Sequence, residues 1–216
     1  MSHELHEHDW AAFAVKPAWH GIGTVLPDVM SAKEAIEGAK LGWGTGKSPL
    51  YRYEPMEDLS ASALHHVEAL QAMGVPVNIG KLRALKAWVA TVRDDLPFEN
   101  PASDLGCVRQ SYTPVDNAAA FDVCDRLVGD LRAKYESAGS LFNGKQVFLL
   151  ARFPTDLQIG DDVVRPYLLL STAHDGSKAL ELKFTLVRVV CWNTLSVALG
   201  DANTASVYIK HTSGAV

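Results

Sequence analysis

No apolar run in this 216-residue chain approaches the roughly 20 residues that a membrane-spanning helix needs; stretches such as Val147 to Ala151 are far shorter. No basic stretch followed by an apolar segment opens the chain, so no signal peptide and a cytoplasmic location are expected. Cysteine is scarce. Cys107, Cys124 and Cys191 are odd in number and lack metal-type spacing, which reads as three reduced, buried core residues. HExxH, paired CxxC and GxSxG patterns are missing, so no complete catalytic constellation is visible and neither cofactor nor metal is expected. A basic excess is missing too. The 20 Lys and Arg against 25 Asp and Glu give a net charge of −5, which weighs against a dedicated nucleic-acid binder but leaves room for a local basic groove. There is no internal repeat and no low-complexity tract. What is present is an ordinary apolar fraction of 48%, enough for a real core, in a length that fits one domain or one domain with a small appendage.

Residues 1–16 read as a flexible segment, in which His3, His6 and His8 stand among acids as a polar terminus rather than a metal site. Residues 17–216 read as a single α+β domain with a helical insertion near 56–85. Ser31 and Glu34 are spaced as a capping box, opening a helix that Gly42 ends. Gly42 to Ser48 looks like a phosphate loop, but the motif needs a glycine where Leu41 stands and a strand where a helix precedes it, so nucleotide binding there is rejected. Glu57 to Met73 reads as a helix stopped by Gly74. Lys86 to Arg93 alternates as a strand, with Leu105 to Tyr112 as its partner. Pro114 to Tyr135 is the clearest helix, capped by Asp116 and with Ala120, Phe121, Cys124, Leu127, Val128 and Leu131 on its apolar face.

Asn143-Gly144 marks a two-residue hairpin turn between strands at 135–142 and 145–153. Strands at 163–172 and 180–187 follow, then a helix from Arg188 to Leu199 closed by Gly200, then a strand at 206–211. The expected fold is α+β, a mainly antiparallel sheet of hairpins with helices packed on one face and the other face free for an extended partner.

Several stretches in this order form a recognisable set. They are Pro17-Ala18-Trp19-His20-Gly21-Ile22-Gly23-Thr24, Ala39-Lys40-Leu41-Gly42-Trp43, Val92-Arg93-Asp94-Asp95, Leu105-Gly106 and Tyr112 to Asn117. Tyr135 to Gly139, Gly144-Lys145, Ser171 to Ser177, Arg188 to Leu195 and Lys210-His211-Thr212 complete it. Over nearly the whole chain this set resembles the phage- and plasmid-like family catalogued as domain of unknown function 932. Relative to that pattern, Met56 to Leu85 looks like an insertion, and the chain stops where relatives usually continue into further helices, as expected of a truncated form. The resemblance implies a mobile genetic element and supplies no reaction.

A functional reading places Lys81, Arg83, Arg93, Lys145, Arg152, Lys183 and Arg188 on one basic track against phosphates, for which the arginine fork is well shaped. Trp19 or Tyr112 would stack on bases. Trp19, His20, His174, Asp175, Asn193 and His211 form a second, polar set. The plainer alternatives are an ion pair of Arg188 with Glu181 or Asp175, a loop contact for Asn193, and turn chemistry at Asp175-Gly176. The leading expectation is a single-stranded DNA-binding or annealing accessory protein that self-associates. The alternatives are an interaction module directed at a host defence system and a small metal-dependent hydrolase built on His20, His174, His211 and Asp175, with catalysis the weaker expectation.

Overall fold

The computed structural model describes residues 5–28, 30–56, 59–77 and 79–211. Strands β1 (Ala11–Ala14) and β2 (Thr24–Leu26) precede helix α1 (Ala32–Gly38). A long hairpin of β3 (Thr45–Pro55) and β4 (Gly80–Arg93) follows, with α2 (Ala61–Ala72) between its strands. Next come β5 (Asp104–Arg109), α3 (Asn117–Asp130), β6 (Lys134–Leu141) and β7 (Gln146–Arg152). A small hairpin of β8 (Leu157–Ile159) and β9 (Asp162–Val164) leads to β10 (Tyr167–Ala173), β11 (Leu180–Thr185), α4 (Trp192–Gly200) and β12 (Ser206–Ile209).

The architecture is α+β and mainly antiparallel. Seven strands form the main sheet in the order β12-β11-β10-β7-β6-β1-β2, with only β1 and β2 running parallel within it. A second antiparallel sheet has the order β3-β4-β5. Alternation along the central strands divides the core. Leu149, Leu168 and Leu170 face α1 and α3, where they pack with Ala35, Ala39, Phe121 and Cys124. Their neighbours Phe148, Leu150 and Leu169 face Leu195 and Ala198 of α4. Every residue of β10 is therefore buried, because both faces of the sheet are covered.

The Ser31 capping box forms as the spacing predicts, with Ser31 Oγ accepting from Glu34 N and Glu34 Oε2 accepting from Ser31 N. Asn143 and Gly144 take the positive φ that the dipeptide favours, 59° and 89°, but the connection is four residues rather than two: the ladder closes at Leu141–Gln146 and Phe142 also has φ of 59°. Several boundaries differ from expectation. The face expected to be free lies under α4. The chain before residue 17 is not loose where it is described: Ala11–Ala14 form a wholly buried strand between β6 and β2. Its alanines carry little strand propensity, so the short run gives no signal of its own. Helix α4 starts at Trp192 rather than Arg188: the β-branched pair Val189-Val190 lies outside the helix, and Cys191 is its extended N-cap, with φ of −159°. The expected insertion is a helix on a continuous ribbon, because β4 begins at Gly80 and pairs with β3 along most of its length. Cys124 and Cys191 are buried as expected, whereas Cys107 is exposed. His3, the expected helix start at Glu57 and Thr212 lie outside the described residues.

The two sheets meet at close range through Gly106 of β5. A Cβ at that position would lie 2.6 Å from Asp175 Cα and 2.7 Å from its Cβ, in the turn between β10 and β11. Substitution Gly106→Ala is expected to lower the unfolding free energy by about 1–3 kcal/mol in urea titrations. Gly42→Ala, at a position with open space around it, is expected to stay within about 0.5 kcal/mol of the parent chain.

Candidate functional site

Most of the motif residues converge where β5 and the end of β4 meet the turns of the main sheet. Arg93 closes β4 with a side chain only 4% exposed. Its Nε and Nη2 donate to the two carboxylate oxygens of Asp95 at 2.7 and 2.8 Å, and its Nη1 donates to the Asn143 carbonyl at 3.2 Å. The same guanidinium lies 4.4 Å from the centroid of the Trp43 ring. Buried Asp9 accepts from Asn143 N and Gly144 N, each at 2.8 Å, and so fixes the turn from the other side.

Trp43 meets the buried imidazole of His174 edge to face at 5.1 Å. His174 Nε2 lies 2.9 Å from Asn117 Oδ1. Asn117 Nδ2 donates to the Leu41 carbonyl, so its oxygen accepts and the proton of His174 resides on Nε2. The Nδ1 atom of His174 is buried without a hydrogen-bond partner. His211 stacks on Tyr112 with ring centroids 5.0 Å apart. Tyr112 donates to the Ala173 carbonyl and receives His211 Nδ1–H, which leaves His211 Nε2 to accept from Thr172 Oγ1 at 3.1 Å. Burial pushes His174 down to about 4 and lowers His211 as well, so both rings are neutral at pH 7. Two neutral hydrogen-bonded groups, His174–Asn117 and His211–Tyr112–Thr172, therefore sit where the two sheets meet, with the Nδ1 atom of His174 left open. His20 belongs to neither: its ring accepts from Ile22 N and donates to the Val190 carbonyl. Among the described residues no group of three or more His, Cys, Asp or Glu is placed to hold a metal ion.

The seven cations expected on one track do not share a surface. Arg93 is held inside the junction. Lys183 is buried, and its ammonium donates to the Leu199 and Asp201 carbonyls at the end of α4. Arg188 bonds Glu136 at 2.5 Å and the Lys16 carbonyl at 2.8 Å, not Glu181 or Asp175. Lys145 borders a hollow that also holds Glu7, Glu99 and Asp104. Arg152 lies at the far end of β7, away from the junction. Trp19 is 66% exposed and packs edge-on against His20. Asn193 sits in the first turn of α4, and Asp175 Oδ1 accepts from Ser177 N as turn chemistry.

Lys81 and Arg83 lie on the outer half of the β3–β4 ribbon, and here a different basic surface appears. From Gly44 to Trp88 no described residue is buried. One groove of about 650 Å3 is bordered by Arg52, Arg83, Lys86 and Trp88. A second, of about 450 Å3, is bordered by Trp88, Arg109, Tyr112, Asp175, Lys178 and Lys210. The two grooves share Trp88, whose ring carries the Arg109 guanidinium at 4.2 Å. Arg52 and Arg83 stand directly opposite each other across the ribbon. Arg52 is ion-paired with Glu54 two residues on, so the countercharge between these strands is in part the protein's own, and Arg83, Lys86 and Arg109 carry the rest of the positive surface.

Reasoning from the sequence missed Arg52, Arg109, Lys178 and Lys210 as parts of this surface. The signal for Arg52 was the alternation of Tyr51, Arg52, Tyr53 and Glu54, which marks a strand after the glycine-rich stretch. Nothing in the sequence brings Lys178 and Lys210 beside Trp88, because that depends on the register of two separate sheets.

The fold and surface define an α+β protein in which a compact sheet body carries an exposed basic ribbon. The chain belongs to the family described as domain of unknown function 932, whose profile matches residues 104–216. That match starts at the first residue of β5, so it covers the second half of the chain rather than nearly all of it. No curated protein and no solved structure matches the chain.

The buried histidine generates a pH dependence of stability. His174 titrates at about 4 when folded, below its ordinary value of 6.5. Its contribution is fully present above pH 6.5 and is lost as the pH falls toward 4, because there only the unfolded chain binds the proton. A loss of about 3 kcal/mol is expected from this residue between those limits, with His211 acting in the same direction. Urea titrations from pH 7.5 downward check this, and His174→Gln, which keeps a donor for Asn117, is expected to flatten the slope.

Proposed function

We propose that the protein binds single-stranded nucleic acid along the exposed face of the ribbon, as an annealing or recombination accessory factor of a mobile genetic element. The observation that carries this reading is the pair of grooves meeting at Trp88, bordered by Arg52, Arg83, Lys86, Arg109, Lys178 and Lys210 against two carboxylates, Asp175 in the lining and Glu54 paired with Arg52. In a chain of net charge −5, such a local excess is a surface feature rather than a consequence of composition. The chemistry suits a single strand. Arginine forks take phosphate oxygens, while the Trp88 indole offers a π-face to bases of any sequence.

Fluorescence anisotropy with a labelled oligonucleotide at several salt concentrations tests the reading. Each phosphate contacted is expected to add about −0.7 to the log–log salt slope, so engagement of all the groove cations gives a slope near roughly −4. Arg83→Glu is expected to weaken binding by at least about tenfold, and Trp88→Ala to cost about 1–3 kcal/mol. Absence of binding at low salt would defeat the proposal.

The other face of the ribbon favours self-association. Tyr51, Tyr53 and Leu82 lie on the side opposite Arg52 and Arg83 and are 55%, 43% and 70% exposed. α2 adds Leu64, Leu70 and the nearby Met73, and has no buried residue. A two-stranded ribbon without a covered face is marginal alone, and a second copy of the same chain supplies a matching apolar surface. Sedimentation velocity is expected to show an oligomer that Leu82→Glu converts to monomer. A parent chain that remains monomeric at about 100 μM, weaker than about 5 kcal/mol of association, would remove this reading and leave the nucleic-acid test unaffected.

A further inference from the structure

The end of the main sheet opposite the His174 junction holds a separate cavity of about 490 Å3. Four cations border it: Lys16 beyond β1, Lys134 at the start of β6, Arg152 at the end of β7 and Arg165 just before β10. Glu136 is the one acid in the lining, and its carboxylate is already bonded by Arg188. Arg165 has a loose ion pair, 3.7 Å from Asp156. Among the described residues Lys16, Lys134 and Arg152 have no ion pair. The cavity therefore carries positive charge that the protein does not neutralise.

Two further observations point to a ligand. Lys134 and Arg152 are register partners on adjacent strands, and like charges directly opposite destabilise a sheet unless an anion lies between them. Val15, on the cavity wall, has φ of 62°, a left-handed conformation that a β-branched residue rarely adopts. Strain of that kind accumulates at ligand clamps. It is held by Val15 N donating to the Leu26 carbonyl, and the next residue, Lys16, offers its carbonyl to Arg188. The remaining wall is apolar, with Phe153 and Pro154 beside Tyr135, and Phe153 is stacked on Phe184 at 5.6 Å.

We infer that this cavity binds a nucleoside phosphate, with the Lys134–Arg152 pair and Arg165 on the phosphate and the Phe153–Pro154 wall against the base. The volume lies within the ordinary range for small-molecule sites, about 300–1,000 Å3. Two arginines border this one cavity, and the guanidinium fork matches the oxygen geometry of a phosphoryl group. The site is distinct from the ribbon grooves: it uses none of their residues and lies at the other end of the strands.

Isothermal titration of the full chain with ATP, inorganic phosphate and adenosine tests the inference. ATP is expected to bind and phosphate to compete weakly. Arg152→Ala and Lys134→Ala are each expected to weaken ATP binding by about tenfold or more. Lys134 is exposed and its replacement leaves the core intact, so that variant reports on the site even if Arg152→Ala is unstable. Arg83→Ala, on the ribbon, is expected to leave ATP affinity unchanged. No heat with ATP up to about 5 mM, or equal affinity in the parent chain and the Lys134→Ala variant, overturns the inference. Phosphate binding as tight as ATP reduces the site to an anion hole without a base pocket and also refutes it. Failure here leaves the oligonucleotide result untouched, so the two readings stand or fall separately.

Discussion

The guanidinium of Arg93 is the contact on which the arrangement of the two sheets depends. It lies at the end of β4, with Asp95 on one edge, the Asn143 carbonyl on another and the Trp43 ring across its face. A buried cation is tolerated only when its donors are occupied and a countercharge is close. Here those partners come from the ribbon sheet, from the β6–β7 turn and from the segment after α1. Meeting the demand of one side chain therefore fixes three parts of the chain relative to one another. The Gly106–Asp175 approach and the His174–Asn117 bond extend the same seam.

Two uses of basic residues stand out. Arg93, Lys183 and Arg188 are consumed by the protein, each by carboxylates or by carbonyls left over at turns and a helix end. Lys134 and Arg152 instead face each other across a ladder, and Arg52 faces Arg83 while pairing with Glu54 on its own strand. In a chain with more acids than bases, opposing register partners of like sign are the less stable choice within the fold. Repulsion of this kind distinguishes a charge directed outward from one that completes the interior.

The hairpins were legible in the sequence because alternation and Asn143-Gly144 are strong local signals. The second covered face of the sheet was partly legible. Val147 to Ala151 is apolar without alternation, the pattern of a strand buried on both sides. The fate of the cations was not legible, for a specific reason. The partners of Lys183 are the Leu199 and Asp201 carbonyls, and one partner of Arg93 is the Asn143 carbonyl. Backbone acceptors have no letter in a sequence, so a buried lysine and an exposed one look alike. The groove between Trp88 and Lys210 was hidden for a related reason, since it is assembled from two sheets whose relative register only packing decides.

Among its described residues, the segment between Gly44 and Trp88 has no buried side chain. Its backbone order is sustained by ladder bonds and by its root in the seam, with little apolar burial to resist local opening. Whatever closes over it must also supply the entropy of holding it still, so some of the contact energy goes into ordering rather than attachment. Grip on a long, featureless partner would then be modest at each position and readily released, and would grow through repetition along that partner rather than through one tight contact.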